Sequence, residues 1–315
     1  MSDSYCKSLI DAIHREIDEK YLFGHPQLID LCMVAFLSRG HVLLEGPPGT
    51  GKTLTAKLLA RMLAKSFKRI QFTSDMLPAD IIGANIYSPA KQGFEFIPGP
   101  VFADFILADE INRTPPRTQS ALLEAMEERQ VTVEGKLMTV SPDFFVIATQ
   151  NPQDFEGTFP LPEAQIDRFL FKLVLGHAPR EKETAMLRNI VEGILPPPFA
   201  DIPQHAVERA RVEDELRQIR VDTSILRYIA DILDKTRTNP LITLGSSVRG
   251  GIALAKCSRI LALLRGRTHV VPDDIKELAV PTLAHRIRLT PEAQVSNVSD
   301  RDVIQDILKK AEFPS

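Results

Sequence analysis

Along residues 8–37 apolar positions recur every three to four residues and are interrupted at FGHP, which predicts two helices ahead of the first strand. The pattern then changes period. HVLLEG, residues 41–46, is a short apolar run, and TLTAKLLARMLAKSF after it is amphipathic and rich in good helix formers. Further apolar runs at KRIQFT, VFADFILAD, DFFVIATQN and FLFKLVLG, with the helical segment PPRTQSALLEAMEERQ between two of them, predict a parallel sheet covered on both faces. Two stretches break the alternation. IYSPAKQGFEFIPGP carries a Pro/Gly-rich turn between short β-like pieces, and VTVEGKLMTV reads as a hairpin turning at Glu134 and Gly135. Both are expected to project from the sheet, the first as an insert at about 82–99 and the second at about 131–140.

Beyond the proline-rich stretch ILPPPFADIP only helical patterns follow, with Ile225, Leu226, Ile229, Ile232 and Leu233 on one face. The division expected is an α/β core over residues 1–178 and a smaller all-helical domain over 179–315. Composition narrows the function. A formal net charge of −3 lacks the basic excess that phosphate-backbone binding needs, so nucleic acid is disfavoured as the main partner. Cys6, Cys32 and Cys257 are scattered without metal-ligand spacing and read as buried thiols of a reducing compartment. No run approaches the roughly 20 apolar residues of a membrane span, and the N-terminus lacks signal-peptide character, so a cytoplasmic protein with no membrane insertion is expected.

The chemistry concentrates at GPPGTGKT, that is Gly46, Pro47, Pro48, Gly49, Thr50, Gly51, Lys52 and Thr53, which matches G-x-x-x-x-G-K-[ST] between a strand and a helix. Its glycines let successive backbone N–H groups turn toward one anion, the helix dipole adds to them, Lys52 neutralises β and γ phosphates, and the Thr53 hydroxyl can ligand Mg²⁺. FILADE places Asp109 and Glu110 at the C-terminal end of a central strand. There Asp109 can hold the Mg²⁺ shell and Glu110 can take a proton from an attacking water. ATQN ends the next strand and offers Asn151 as a contact to γ phosphate and water. His41 and His177, at strand edges without carboxylate or cysteine partners, read as structural histidines. Phe94, Phe96 and Phe102 read as packing, or as aromatics of a projecting insert that touch a client.

These residues resemble the MoxR family of AAA+ ATPases. The likeness is carried by the P-loop, by ADEINRTPPRTQSALLEAMEERQVTVEGK, by FFVIATQNPQDFEGTFPLPEAQIDRF and by GSSVRGGIALAKCSRILALLRGR, and spans roughly residues 20–290. It implies an αβα ATPase core with a helical lid and ring-forming subunits, usually hexameric, with ATP and Mg²⁺ between neighbours. It further implies client or adaptor proteins, including ones with von Willebrand factor A domains, and roles in assembly or metal insertion. Under it, residues 46–53 are Walker A, Asp109 and Glu110 are Walker B, Asn151 is sensor 1, Arg168 is the arginine finger, and Arg249 is sensor 2 of a lid closing over ATP. Where members often read GASPRA this chain reads GSSVRG: a β-branched residue replaces the proline and the arginine stays.

The arginines admit two readings each. Arg168 either pairs with Glu163 or Asp167, for well under 1 kcal/mol, or reaches a phosphate bound by an adjacent subunit, a role worth roughly 10³–10⁵ in rate in GTPases. Arg113 either pairs with Glu110 or contacts a neighbour's nucleotide. The function expected is Mg²⁺-dependent ATP hydrolysis coupled to remodelling of partner proteins. The rivals are a DNA-acting or chelatase-like motor and an ATP-gated scaffold with little turnover.

Overall fold

The computed structural model describes residues 4–21, 26–47, 50–150, 158–176, 179–193 and 201–313. The chain runs α1 (Tyr5–Tyr21), α2 (Pro26–Leu37), β1 (Val42–Glu45), α3 (Lys52–Met62), β2 (Phe67–Gln71), α4 (Pro78–Ile82), β3 (Gly83–Ser88), β4 (Gly93–Pro98), β5 (Phe105–Asp109), α5 (Pro116–Glu128), β6 (Gln130–Val133), β7 (Lys136–Thr139), β8 (Phe145–Gln150), α6 (Glu163–Ile166) and β9 (Phe171–Val174). It continues through α7 (Arg180–Val191), α8 (Arg209–Gln218), α9 (Thr223–Thr238), β10 (Ile242–Leu244), α10 (Val248–Leu264), α11 (Pro272–Leu283), β11 (Arg288–Leu289), α12 (Pro291–Val295) and α13 (Asp300–Lys310).

Five strands form one parallel sheet in the order β2-β5-β8-β1-β9. The inner strands are apolar on both faces because both are covered: every residue of β5 is buried, and Val42 and Leu44 join one apolar cluster while Leu43 joins the other. One cluster lies under α5 and α4. The other is shared by α1, α2, α3 and the helices beyond residue 209, so those C-terminal helices pack into the same core as the sheet.

Two antiparallel hairpins stand outside the sheet, β3–β4 and β6–β7. The second turns through Glu134 at φ 47° and Gly135 at φ 80°, the left-handed pair that a two-residue hairpin turn requires. The side chains of Asn85 and Glu134 hydrogen-bond at 2.6 Å and tie the two hairpins together. The C-terminal region departs from the all-helical expectation in one feature: β10 and β11 pair as a short antiparallel ribbon, too brief to show a period in the sequence. Leu226 also differs. It is exposed on α9, and Tyr228 takes its place beside Ile225, Ile229, Ile232 and Leu233 in the core. No helix among the described residues is long and apolar enough to cross a membrane. Cys6, Cys32 and Cys257 are buried and free.

His41 fixes the base of the sheet. Its Nδ1 accepts from the Val146 N–H at 3.0 Å, so the ring proton lies on Nε2, which donates to the Met126 carbonyl at 3.2 Å. It is thus a satisfied, neutral core histidine. Burial, with the Arg129 charge adding to it, pulls its pKa from 6.5 to about 3. The unfolded chain therefore binds a proton at this residue below pH 6.5 while the folded one does not, so its contribution is complete above that pH and is lost as pH falls toward 3. The ceiling is roughly 4–5 kcal/mol at 1.36 kcal/mol per unit. Urea unfolding of the wild type is expected to weaken between pH 6.5 and 4 more steeply than that of a His41→Asn variant; equal slopes would remove His41 from the acid response.

Candidate functional site

The turn from β1 into α3 is built at the C-terminal end of the sheet. Gly46 donates to the Gln150 carbonyl at 3.4 Å, and a Cβ on it would collide with the Leu175 carbonyl oxygen, so the chain passes between β8 and β9 only as glycine. Gly51, at φ 81°, is the left-handed residue that starts α3. Lys52 folds over the loop, its ammonium donating to the carbonyls of Gly46 at 2.6 Å and Pro47 at 3.0 Å. Desolvation lowers the pKa of Lys52, and the charges of Asp109 and Glu110 oppose that shift. Thr50, Gly51, Lys52 and Thr53 line one wall of a cavity of about 410 Å³.

Asp109 and Glu110 line the same cavity. Consecutive strand residues point to opposite faces, and what brings both to one cavity is the backbone of Glu110, left-handed at φ 56°. Thr149, at the end of β8, holds that bend: its hydroxyl donates to Asp109 Oδ1 at 2.8 Å and accepts from the Glu110 N–H at 2.9 Å. β8 lies between β5 and β1, so the acids face the P-loop across an intervening strand, and Thr149 bridges that gap. Asp109 Oδ2 takes a two-pronged contact from Arg69, 2.8 Å from Nε and 2.7 Å from Nη2. Glu110 Oε2 accepts from Gln71 Nε2 at 3.1 Å and pairs with Arg113 Nε at 3.0 Å, the first of the two readings of Arg113.

Chemically the cavity opposes an ammonium, a helix start and a hydroxyl to two carboxylates, a donor set that fits a phosphate chain with a hard divalent cation between them. Thr53 and Asp109 are the residues that could hold the cation, with Arg69 leaving Asp109. Thr149, Arg69 and Gln71 were missed by sequence reasoning. Their signals were a hydroxyl one residue from the end of the apolar run FVIATQ and the polar residues of KRIQ ending in the same layer. Pro48, Gly49, Asn151 and His177 lie outside the described residues.

Arg168 and Arg249 are not brought to this cavity. Leu170 and Phe171 donate to the His41 carbonyl at the start of β1, whereas the P-loop follows the end of β1, so Arg168 sits at the other end of the sheet. Four residues of strand separate the two ends by roughly 13 Å. Arg168 pairs with Glu127 of α5 at 3.0 Å, not with Glu163 or Asp167. Those two acids serve the C-terminal helices: Glu163 pairs with Arg288, and Asp167 takes Arg286 Nε on Oδ1 at 2.8 Å and Arg249 Nη1 on Oδ2 at 3.5 Å. Arg249 therefore lies on the Arg168 side, its partner Asp167 being the residue just before Arg168 in the chain.

Residues 41–171 match the family described as "ATPase family associated with various cellular activities (AAA)", and residues 234–307 match the AAA lid domain. An uncharacterized protein of Bacillus subtilis, YeaC, is 45% identical over 295 residues, covering 94% of this chain and 92% of its own. The protein named Chaperone MoxR1 of Mycobacterium tuberculosis is 38% identical over 316 residues, covering 97% of this chain and 83% of its own. A crystal structure described as a candidate ATPase of Cytophaga hutchinsonii superposes with a TM-score of 0.86 at 36% identity over 98% of this chain and 97% of that one. The chain belongs to the MoxR family of AAA+ ATPases.

Thr149→Val keeps the shape of the side chain but leaves the Asp109 carboxylate and the Glu110 N–H each one partner short. It is expected to lower stability by about 1–3 kcal/mol in urea unfolding. Thr149→Ser, which keeps the hydroxyl, is expected to restore most of that loss.

Proposed function

We propose that the protein hydrolyses ATP with Mg²⁺ in a ring of identical subunits and uses the cycle to remodel partner proteins. The observation that carries this reading is the division of charge along the sheet. Lys52, Thr53, Asp109 and Glu110 converge on one cavity, while Arg168 and Arg249 both lie at the opposite end of the sheet. One subunit thus presents a phosphate site at one end and two unburied cations at the other, which is the complement a neighbouring copy needs.

In this scheme Lys52 exchanges the Gly46 and Pro47 carbonyls for phosphate oxygens, and Asp109 exchanges Arg69 for the cation shell. Mg²⁺, when bound, offsets charge on the β and γ phosphate oxygens. Glu110, steered by Gln71 and Arg113, accepts the proton of the attacking water as its oxygen bonds to the γ phosphorus and ADP leaves. Asn151 orients that water. Arg168 and Arg249 act on the neighbour's phosphates, in place of an own-lid closure by Arg249. Client contact falls to the hairpins, whose Ile86, Tyr87, Phe94 and Leu137 are all more than half exposed, while Phe96 and Phe102 pack edge to face at 5.8 Å and serve the hairpin's base. The name Chaperone MoxR1 of a relative supports remodelling as the output. Three buried free thiols support a cytoplasmic setting.

Glu110→Gln is expected to bind ATP with near-wild-type affinity and to lose 10²–10⁴-fold in steady-state turnover, the range for removal of a general base; undiminished phosphate release would exclude it from the mechanism. Arg168→Ala is expected to be inactive as well. When the two variants are mixed and allowed to exchange subunits, activity is expected to return, since some interfaces then join an intact Glu110 to an intact Arg168. Absence of recovery in rings verified as mixed would return Arg168 to a simple ion pair with Glu127.

A further inference from the structure

Arg286, in the turn that follows α11, has a side chain only 7% exposed, and its guanidinium is spent mainly on one loop. Nε donates to Asp167 Oδ1 at 2.8 Å, Nη2 to the carbonyls of Asp167 at 3.2 Å and Phe169 at 2.8 Å, and Nη1 to the carbonyl of Leu170 at 3.2 Å and to the Thr282 carbonyl of α11. His285 adds a contact from Nε2 to the same Phe169 carbonyl at 3.1 Å. The three residues held in this way, Asp167, Phe169 and Leu170, bracket Arg168 in the sequence. Meanwhile the second oxygen of Asp167 takes Arg249 from the start of α10.

We propose that Asp167 and Arg286 are positioning residues for the reaction in the adjacent subunit: they clamp the backbone around Arg168 to the helical domain of the same chain and set Arg168 and Arg249 as one two-arginine unit. The inference rests on the reading that Arg168 acts on a neighbour's nucleotide. Several facts favour it over plain domain adhesion. The planar fork of Arg286 addresses carbonyls of the loop that carries Arg168, not those of the strand beyond it. The hydrophobic core alone already joins the C-terminal helices to the sheet. And Asp167 meets a buried arginine on one oxygen and an exposed one, Arg249 at 76% exposure, on the other. Neither residue lines the cavity at Lys52. Their loss should therefore leave nucleotide binding at the chain's own site intact while spoiling the site next door.

The test uses Asp167→Asn, which keeps the volume and the loop carbonyls, and Arg286→Lys, which keeps a charge but not the fork. Each is expected to bind a fluorescent ADP analogue within about twofold of wild type and to lose at least tenfold in turnover. Subunit mixing then assigns the defect. Either variant mixed with Glu110→Gln should recover activity, because the variant's own cavity is sound and the partner's Arg168 is correctly set. Either variant mixed with Arg168→Ala should not, because both subunits fail at the same face. Recovery with Arg168→Ala and none with Glu110→Gln would place the defect in the chain's own cavity and overturn the proposal, as would full turnover by Asp167→Asn. If Glu110→Gln and Arg168→Ala fail to complement each other in verified mixed rings, the neighbour-site reading falls and takes this inference with it. If those two complement and the Asp167 and Arg286 variants recover with neither partner, only the present inference is lost.

Discussion

The pairing of β1 with β8 on one side and β9 on the other decides where every reactive group of this chain can lie. β1 is four residues long, and its two ends carry different chemistry: the P-loop leaves from Glu45, and the loop bearing Arg168 is hydrogen-bonded to His41 just before Val42. A parallel register admits no shortcut between them. The strand is too rigid to bend its ends together and too long, at about 3.3 Å per residue, for an arginine side chain at one end to reach phosphates at the other around the sheet. A catalytic scheme that uses both ends must use two chains.

The helical domain follows the same geometry. A lid that swung freely over its own nucleotide would share little core with the sheet. Here α10 contributes Cys257 and Leu261 to the cluster that contains Met33, Val42 and Phe171. Two polar ties reinforce the contact, and both lie where the sheet begins: Asp143, just before β8, holds Arg209 of α8 at 2.7 Å and Lys65 at 2.5 Å, and Asp167 holds Arg286. Burial pushes the Asp143 pKa up, and the Lys65 and Arg209 contacts together outweigh it and hold the carboxyl below its ordinary value. The C-terminal helices are thus tied to the Arg168 end of the core by packing and by ion pairs together.

The parallel sheet, the glycine-rich turn after β1 and the two acids at the end of β5 were legible in the sequence because each is local. Apolar runs of four to six residues punctuated by glycine and capped by acids leave a signature within a single window. The partners of Arg168 were not legible. At helical spacing Glu163 and Asp167 are the natural candidates, and each instead faces an arginine more than a hundred residues away, Arg288 and Arg286, while Glu127 approaches from α5. Long-range ion pairs carry no period, and an arginine in the sequence says only that an anion is near. The same holds for Thr149, whose value depends on β8 being inserted between β1 and β5, a fact of strand order that local patterns do not encode.

Every cation placed in the proposed mechanism already has a partner: Lys52 two carbonyls, Arg69 Asp109, Arg168 Glu127, Arg249 Asp167. Binding is therefore an exchange of partners, and burial decides which exchanges are easy. The Arg168–Glu127 pair, with side chains 34% and 43% exposed, is a surface contact of the kind worth about 0–1 kcal/mol, so a competing anion displaces it readily. Arg249, 76% exposed and 3.5 Å from its acid, is looser still. Arg286 is the opposite case. With its side chain 7% exposed and its donors divided among one carboxylate and several carbonyls, removing its partners would strand a buried charge, at a cost of about 3–5 kcal/mol. Under the same pull, then, Arg168 lets go of Glu127 long before the loop lets go of Arg286. That ordering lets an arginine change partners while its backbone stays fixed, and it follows from burial alone.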